Sequence, residues 1–174
     1  RAGVASAKTF ANDVVLLRDH VEVIQLGKVK GPGLVIVPAY QGRVMASTFD
    51  VKSGVGNGFI NYDVVAHGEI TKGMTAFGGE DRIWLGPEGG QYSIFFSEGA
   101  EQNGDNWQTP AVIDSEKFEV ARQTANEAVF KKSSSLKNAS GAEFTFEIER
   151  AVALLGVDAI EKHLGIEVPE GVKT

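Results

Sequence analysis

Apolar residues recur at helical spacing at Phe10, Val14, Leu17 and Val21, which predicts one short amphipathic helix over 10–21 with Asn12 or Asp13 capping its start. The pattern then changes to short β-branched or mixed runs at 21–26, 34–37 and 43–48. Gly31-Pro32-Gly33 and Gln41-Gly42 separate these runs, as turns separate the strands of a sheet. Three glycines and an asparagine make 52–58 a loop, order returns over 59–65, and 92–96 reads as a buried strand. Residues 98–108 are polar and carry one tryptophan, as a surface loop would. Three further strands follow in meander order at 118–124, 127–136 and 143–155.

In the last of these, Phe144, Phe146, Ile148, Val152 and Leu154 share one parity while Glu147 and Glu149 take the other, as a half-buried strand requires. Arg150 falls on the apolar parity, so it is either a sign of shifted register or a buried charge in need of a carboxylate. Asp158 with Glu161 resembles a capping box for a second short helix through Leu164, closed by Gly165. Another extended segment begins at Ile166 and runs to Thr174 with no obvious partner. The expected fold is therefore mainly β: an antiparallel β-sandwich with one or two short helices. Residues 1–174 form a single domain, read as the N-terminal part of a larger sandwich.

Composition sharpens this in a few respects. A 174-residue chain with 43% hydrophobic content can bury a substantial core, and 21 glycines suit a turn-rich β protein. Seventeen basic against 23 acidic residues give a net charge of −6 with no basic block, which argues against nucleic acid and anionic membranes as partners. No apolar run approaches the length of a membrane span. With no cysteine, disulfides and thiolate-ligated metals are excluded.

Candidate chemistry concentrates in residues 77–92, where Gly78-Gly79 and Gly89-Gly90 bracket Glu80, Asp81, Arg82, Trp84, Glu88 and, just beyond, Gln91. One reading is a solvated hairpin whose ion pairs are worth about 0–1 kcal/mol each. The other is a polar cleft in which Arg82 forks onto a ligand oxygen, Trp84 stacks on a sugar face, and Glu88 and Gln91 add hydrogen bonds. Trp107, in the Asn- and Gly-containing loop 103–110, is either a second aromatic platform or a plug on the core. His20, His67 and His163 form no zinc-binding pair, so no metal and no cofactor is expected. His20 reads as a helix end. His67 is the histidine to test as a general acid, with Glu80 or Glu88 as its partner carboxylate. The sequon Asn138-Ala139-Ser140 and the S-x-x-K match at Ser134 are short enough to arise by chance.

Four stretches together resemble a known family: residues 37–48 (VPAYQGRVMAST), 59–62 (FINY), 78–91 (GGEDRIWLGPEGGQ) and 107–110 (WQTP). They are similar to an uncharacterised family of secreted bacterial proteins related to the galactose mutarotase-like β-supersandwich, and the resemblance is strongest over 34–120. It implies a large twisted antiparallel sandwich that binds a sugar or oligosaccharide on its concave face, with Gly42-Arg43-Val44 near the start of the fold. It also implies a periplasmic or secreted location. In aldose epimerases a histidine protonates the ring oxygen and a glutamate takes the anomeric proton. That glutamate lies late in the epimerase chain, past the stretch matched here. Three functions follow: a carbohydrate-binding sandwich protein, a sugar-active enzyme of aldose epimerase type, or a non-catalytic assembly module that pairs with a C-terminal half or a partner chain.

Overall fold

The computed structural model describes residues 9–171, and its fold is mainly antiparallel β with a few short helices. Helix α1 (Phe10–His20) comes first. Thr9 caps it, accepting from the Asn12 amide at 3.3 Å, so the cap lies upstream of the Asn12 or Asp13 expected from sequence. Asp13 is buried instead, where it accepts a hydrogen bond from the Tyr62 hydroxyl. That bond and, above all, burial push the Tyr62 phenol up.

Strands β1 (Ile24–Gly27), β2 (Gly33–Val37) and β3 (Arg43–Thr48) form the first sheet in that order. The sequence of β2, Gly-Leu-Val-Ile-Val, is buried throughout because it is covered on both faces. Leu34 and Ile36 point into one apolar layer, whereas Val35 and Val37 point into another with Phe10, Val14 and Leu17 of α1. A register shift opposite Val35 and Ile36 inserts Met45 as a bulge in β3. A two-residue pair, β4 (Phe59–Ile60) with β5 (Gly78–Gly79), lies beyond β3. Between them is helix α2 (Tyr62–His67), capped by Asn61, which no helical signal in the sequence announced.

The second three-stranded sheet is a meander of β6 (Glu119–Gln123), β7 (Glu127–Lys137) and β8 (Glu143–Ala153). Its apolar face, with Phe118, Ala128, Phe130, Ile148 and Val152, meets Ile24, Leu26, Leu34 and Ile36 of the first sheet in one shared layer. The sheets therefore sit back to back, with α1 and α2 on the far side of the first. No helix among the described residues is long and apolar enough to cross a membrane.

Three expectations fail. Residues 92–96 form no strand: Phe95 donates its amide to the Ser93 hydroxyl at 3.1 Å and accepts from the Gln108 amide at 3.0 Å, so side chains and loop backbone replace a ladder. The Asp158 capping box is absent. Helix α3 (Val157–Leu164) starts at Gly156 with no side-chain cap, and Glu161 instead accepts the Val168 amide. Gly165 closes α3 in the left-handed conformation, as expected, but residues 166–171 form no strand, and 172–174 lie outside the described residues. Asn138 of the sequon is buried, and its side-chain oxygen accepts from Ser140 and Ala142 to shape the β7–β8 connection.

If the shared layer is the principal core, Phe130→Ala costs about 3–5 kcal/mol of unfolding free energy, as buried aromatic truncations do. Phe144→Ala, at a position 41% exposed on the outer part of the same sheet, costs about 1 kcal/mol or less. Urea denaturation of both variants checks this, and losses of equal size would contradict it.

Candidate functional site

The site begins in the turn between β2 and β3. Pro38–Tyr40 form one 3₁₀ turn, after which Gln41 takes a left-handed conformation (φ 67°), a strained choice for a non-glycine residue. Gly42 follows at φ 62°, and a side chain there would run into the Phe130 ring at 2.8 Å, so the turn is pressed directly onto the second sheet. This geometry buries two polar residues. Gln41 is fully buried, donating to the Ile83 carbonyl and accepting from Arg43, each at 3.2 Å. Arg43 is only 2% exposed and donates through Nη1 to the Gly78 carbonyl at 2.9 Å.

The glycine-bracketed segment wraps around this turn. Phe77 is buried with its ring stacked on Tyr40 at 3.8 Å. Gly79, at φ 105°, has no room for a side chain because the Arg43 aliphatic chain lies 2.7 Å from where a Cβ would stand. The paired glycines at 78–79 thus serve close packing, Gly78 against the β4 backbone at Phe59 and Gly79 against the arginine. The next three residues reach three different parts of the fold. Glu80 accepts from the Ser47 amide and hydroxyl, Asp81 accepts from the Val44 amide at 3.0 Å and pairs with Arg150, and Arg82 pairs with Asp114 at 3.0 Å. Arg150, on the apolar parity of β8, therefore finds the carboxylate its position requires, and its Nε donates to the Gly42 carbonyl at 2.9 Å.

Arg82 is the hinge of the arrangement. Its guanidinium also donates to the Ile113 carbonyl at 2.8 Å and lies over the Trp84 ring, 4.4 Å from the centroid. Asp114 is almost fully buried and takes the Thr75 amide on both oxygens at 3.1 Å, so removing Arg82 would strand a buried carboxylate at a cost of about 3–5 kcal/mol. Trp84 packs on Phe95, and Phe95 stacks on Trp107 at 5.3 Å, so both tryptophans belong to one aromatic cluster. Trp84 donates its indole N–H to Glu88 at 2.7 Å. Gln91 is exposed, and His67 ends α2, exposed, with Nδ1 2.7 Å from the Asp63 carbonyl.

Beside the hinge lies a depression of about 410 Å³ lined by Arg43, Arg82, Glu80, Asp81, Met74 and Phe59, among others. Phe59 is 70% exposed there, and the sequence marked it only as part of the FINY stretch, without a role in binding. Of the residues singled out from sequence, Arg82 and Glu80 line this depression, while His67, Trp84, Glu88, Gln91 and Trp107 do not. Burial first, and then the neighbouring Arg82 guanidinium, lower Arg43 to about 10, against the opposing pull of Asp114 and Asp81. Burial likewise raises Tyr40, opposed by Arg43. The Nε atoms of Arg43 and Arg82 are both buried without an acceptor among the described residues. A second depression, of about 490 Å³, is bounded by Phe95, Phe96, Glu98, Asn106, Gln108 and Lys137. There the polar groups are engaged with the protein itself: Lys137 with Glu98 at 2.6 Å, Asn106 with the Glu101 carbonyl, and Gln108 with Gly73. No group of three or more histidines, aspartates or glutamates among the described residues is placed to hold a metal ion.

No curated protein and no solved structure matches the chain. One family model does, over residues 8–174, and on that match the chain belongs to a family of unknown function, DUF6786.

Proposed function

We propose that this protein binds carbohydrate, and that its two back-to-back sheets are those of a galactose mutarotase-like sandwich or of part of one. The observation that carries the reading is the exposed Phe59 ring on a depression also lined by Arg43, Arg82, Glu80 and Asp81. Sugars present a C–H face that packs on an aromatic ring and a periphery of hydroxyls that hydrogen-bond to charged groups, so this pairing suits them. Arg82 acts as the hydroxyl clamp, and Trp84 supports it from behind rather than stacking on ligand. Glu88 holds the Trp84 indole, while Trp107 and Gln91 extend the aromatic and polar surface beyond it. Binding is favoured over turnover because the Glu80 oxygens are both engaged with Ser47 and no histidine lines the depression. The epimerase alternative would need His67 to approach Glu80 or Glu88. With the sandwich reading goes a periplasmic or secreted location, which fractionation of the native cells checks.

A second reading, an assembly module, is favoured by α3, which buries none of its residues. Leu155, Val157, Leu164 and Ile166 are exposed around it. Asp158 lies in its first turn and Lys162 and His163 in its last, so two copies of α3 laid antiparallel would set acid against base.

Two outcomes are expected. In isothermal titration against mono- and oligosaccharides, at least one sugar binds, and Phe59→Ala and Arg82→Lys each weaken it by about three- to tenfold. No binding, or unchanged affinity in both variants, would remove the site. For the assembly reading, sedimentation shows a concentration-dependent dimer that Leu164→Glu dissociates, whereas a monomer at every concentration rejects it.

A further inference from the structure

Six charged side chains converge around the depression, and their pairing is unequal. Asp81 is satisfied by Arg150 and Asp114 by Arg82, while Glu80 takes two hydrogen bonds from Ser47. Arg43 stands apart. It is 2% exposed, yet among the described residues its hydrogen-bond acceptors are neutral, the Gly78 carbonyl and the Gln41 side chain, and its Nε has none. A buried guanidinium without a carboxylate in contact is costly, and here the cost is compounded by Arg82, whose own Nε also lacks an acceptor. Burial and the repulsion from Arg82 act together to disfavour the Arg43 cation, and that burden stands at every pH below about 10. Both arginines line the same depression, and the Arg82 side chain is 21% exposed there, so an incoming group can reach it from solvent.

Resting on the carbohydrate reading above, we infer that the ligand is an acidic sugar, a uronate, whose carboxylate is taken by Arg82 and Arg43 while its ring packs on Phe59. A carboxylate supplies what the cluster lacks: a planar pair of acceptors matched to guanidinium forks, and a negative charge between two cations that repel each other. Of the nearby acids, Asp81 and Asp114 are compensated by Arg150 and Arg82, while Glu80, held only by the neutral Ser47, is the one negative charge on the lining that the carboxylate has to keep away from. Met74, 42% exposed on the lining, adds an apolar contact for the ring.

The test is titration of the whole chain with D-glucuronate, D-galacturonate and their short oligomers, alongside glucose, galactose and the methyl ester of glucuronate. The ester keeps the shape and removes the charge. Uronates are expected to bind about tenfold or more tightly than the ester and the neutral hexoses, the worth of one charge-assisted pair. That ratio is expected to collapse in Arg43→Gln and to fall in Arg82→Lys, which keeps a cation beside Asp114. Rising ionic strength should shrink it as well. Circular dichroism confirms that each variant is folded. Should Arg43→Gln fail to fold, the ester comparison on the unmodified protein and the Arg82→Lys variant still decide the matter. Equal binding of neutral and acidic sugars, lost in Phe59→Ala, would overturn the carboxylate inference and leave the carbohydrate reading standing. Binding of no sugar at all would overturn both, and a preference that survives both arginine variants would place the carboxylate elsewhere.

Discussion

The structure depends on one constraint, the pressing of the Gln41-Gly42-Arg43 turn between two sheets. Gly42 has to be glycine because Phe130 leaves no room, and Gly79 because the Arg43 chain lies across it. Once that turn is in place, its carbonyl and side chains need partners from distant chain segments. The Gly42 carbonyl accepts from Arg150 of β8, while Gln41 donates to the Ile83 carbonyl and Arg43 to the Gly78 carbonyl. These bonds hold residues 78–83 against the edge of the first sheet. The position of Arg82, and with it that of Asp114 and Thr75, follows. A small polar centre thus joins three stretches of chain that the apolar layers alone would leave unlinked.

Such a centre has a cost. Buried polar networks stabilise a fold only when every member is satisfied, and this one leaves two arginine donors without acceptors. On the proposal made above, a ligand would supply the acceptors that this strained turn leaves unmade.

Local patterns were legible in the sequence and long-range pairings were not. The helical spacing of Phe10, Val14 and Leu17 and the alternation in β8 gave α1 and the meander close to their observed bounds. The run 92–96 misled because its apolar residues plug a loop beneath two tryptophans, and an apolar run alone does not distinguish a plug from a strand. Helix α2 escaped notice because six residues are too few to show a period. Residues 77–92 were identifiable as unusual, but their roles were not: Glu80, Asp81 and Arg82 find partners 33, 69 and 32 residues away. Arg150 on the apolar parity, read as either a shifted register or a charge in need of a carboxylate, proved to be the latter, paired with the exposed Asp81. Arg43, an arginine opening an apolar strand just after Gly42, was visible in the sequence, but its weight depended on how deeply it lies.

If a uronate carboxylate is taken by Arg43 and Arg82 as proposed, binding changes the surroundings of both guanidinium groups together. Arginine Nε–Hε resonances are resolved by ¹⁵N-correlated NMR, so each can be followed while glucuronate is added. The Nε–Hε signals of Arg43 and Arg82, assigned through Arg43→Gln and Arg82→Lys, are expected to move together and saturably, while the indole signal of Trp107 stays in place. Saturable binding that leaves both arginine signals unmoved would contradict the proposal.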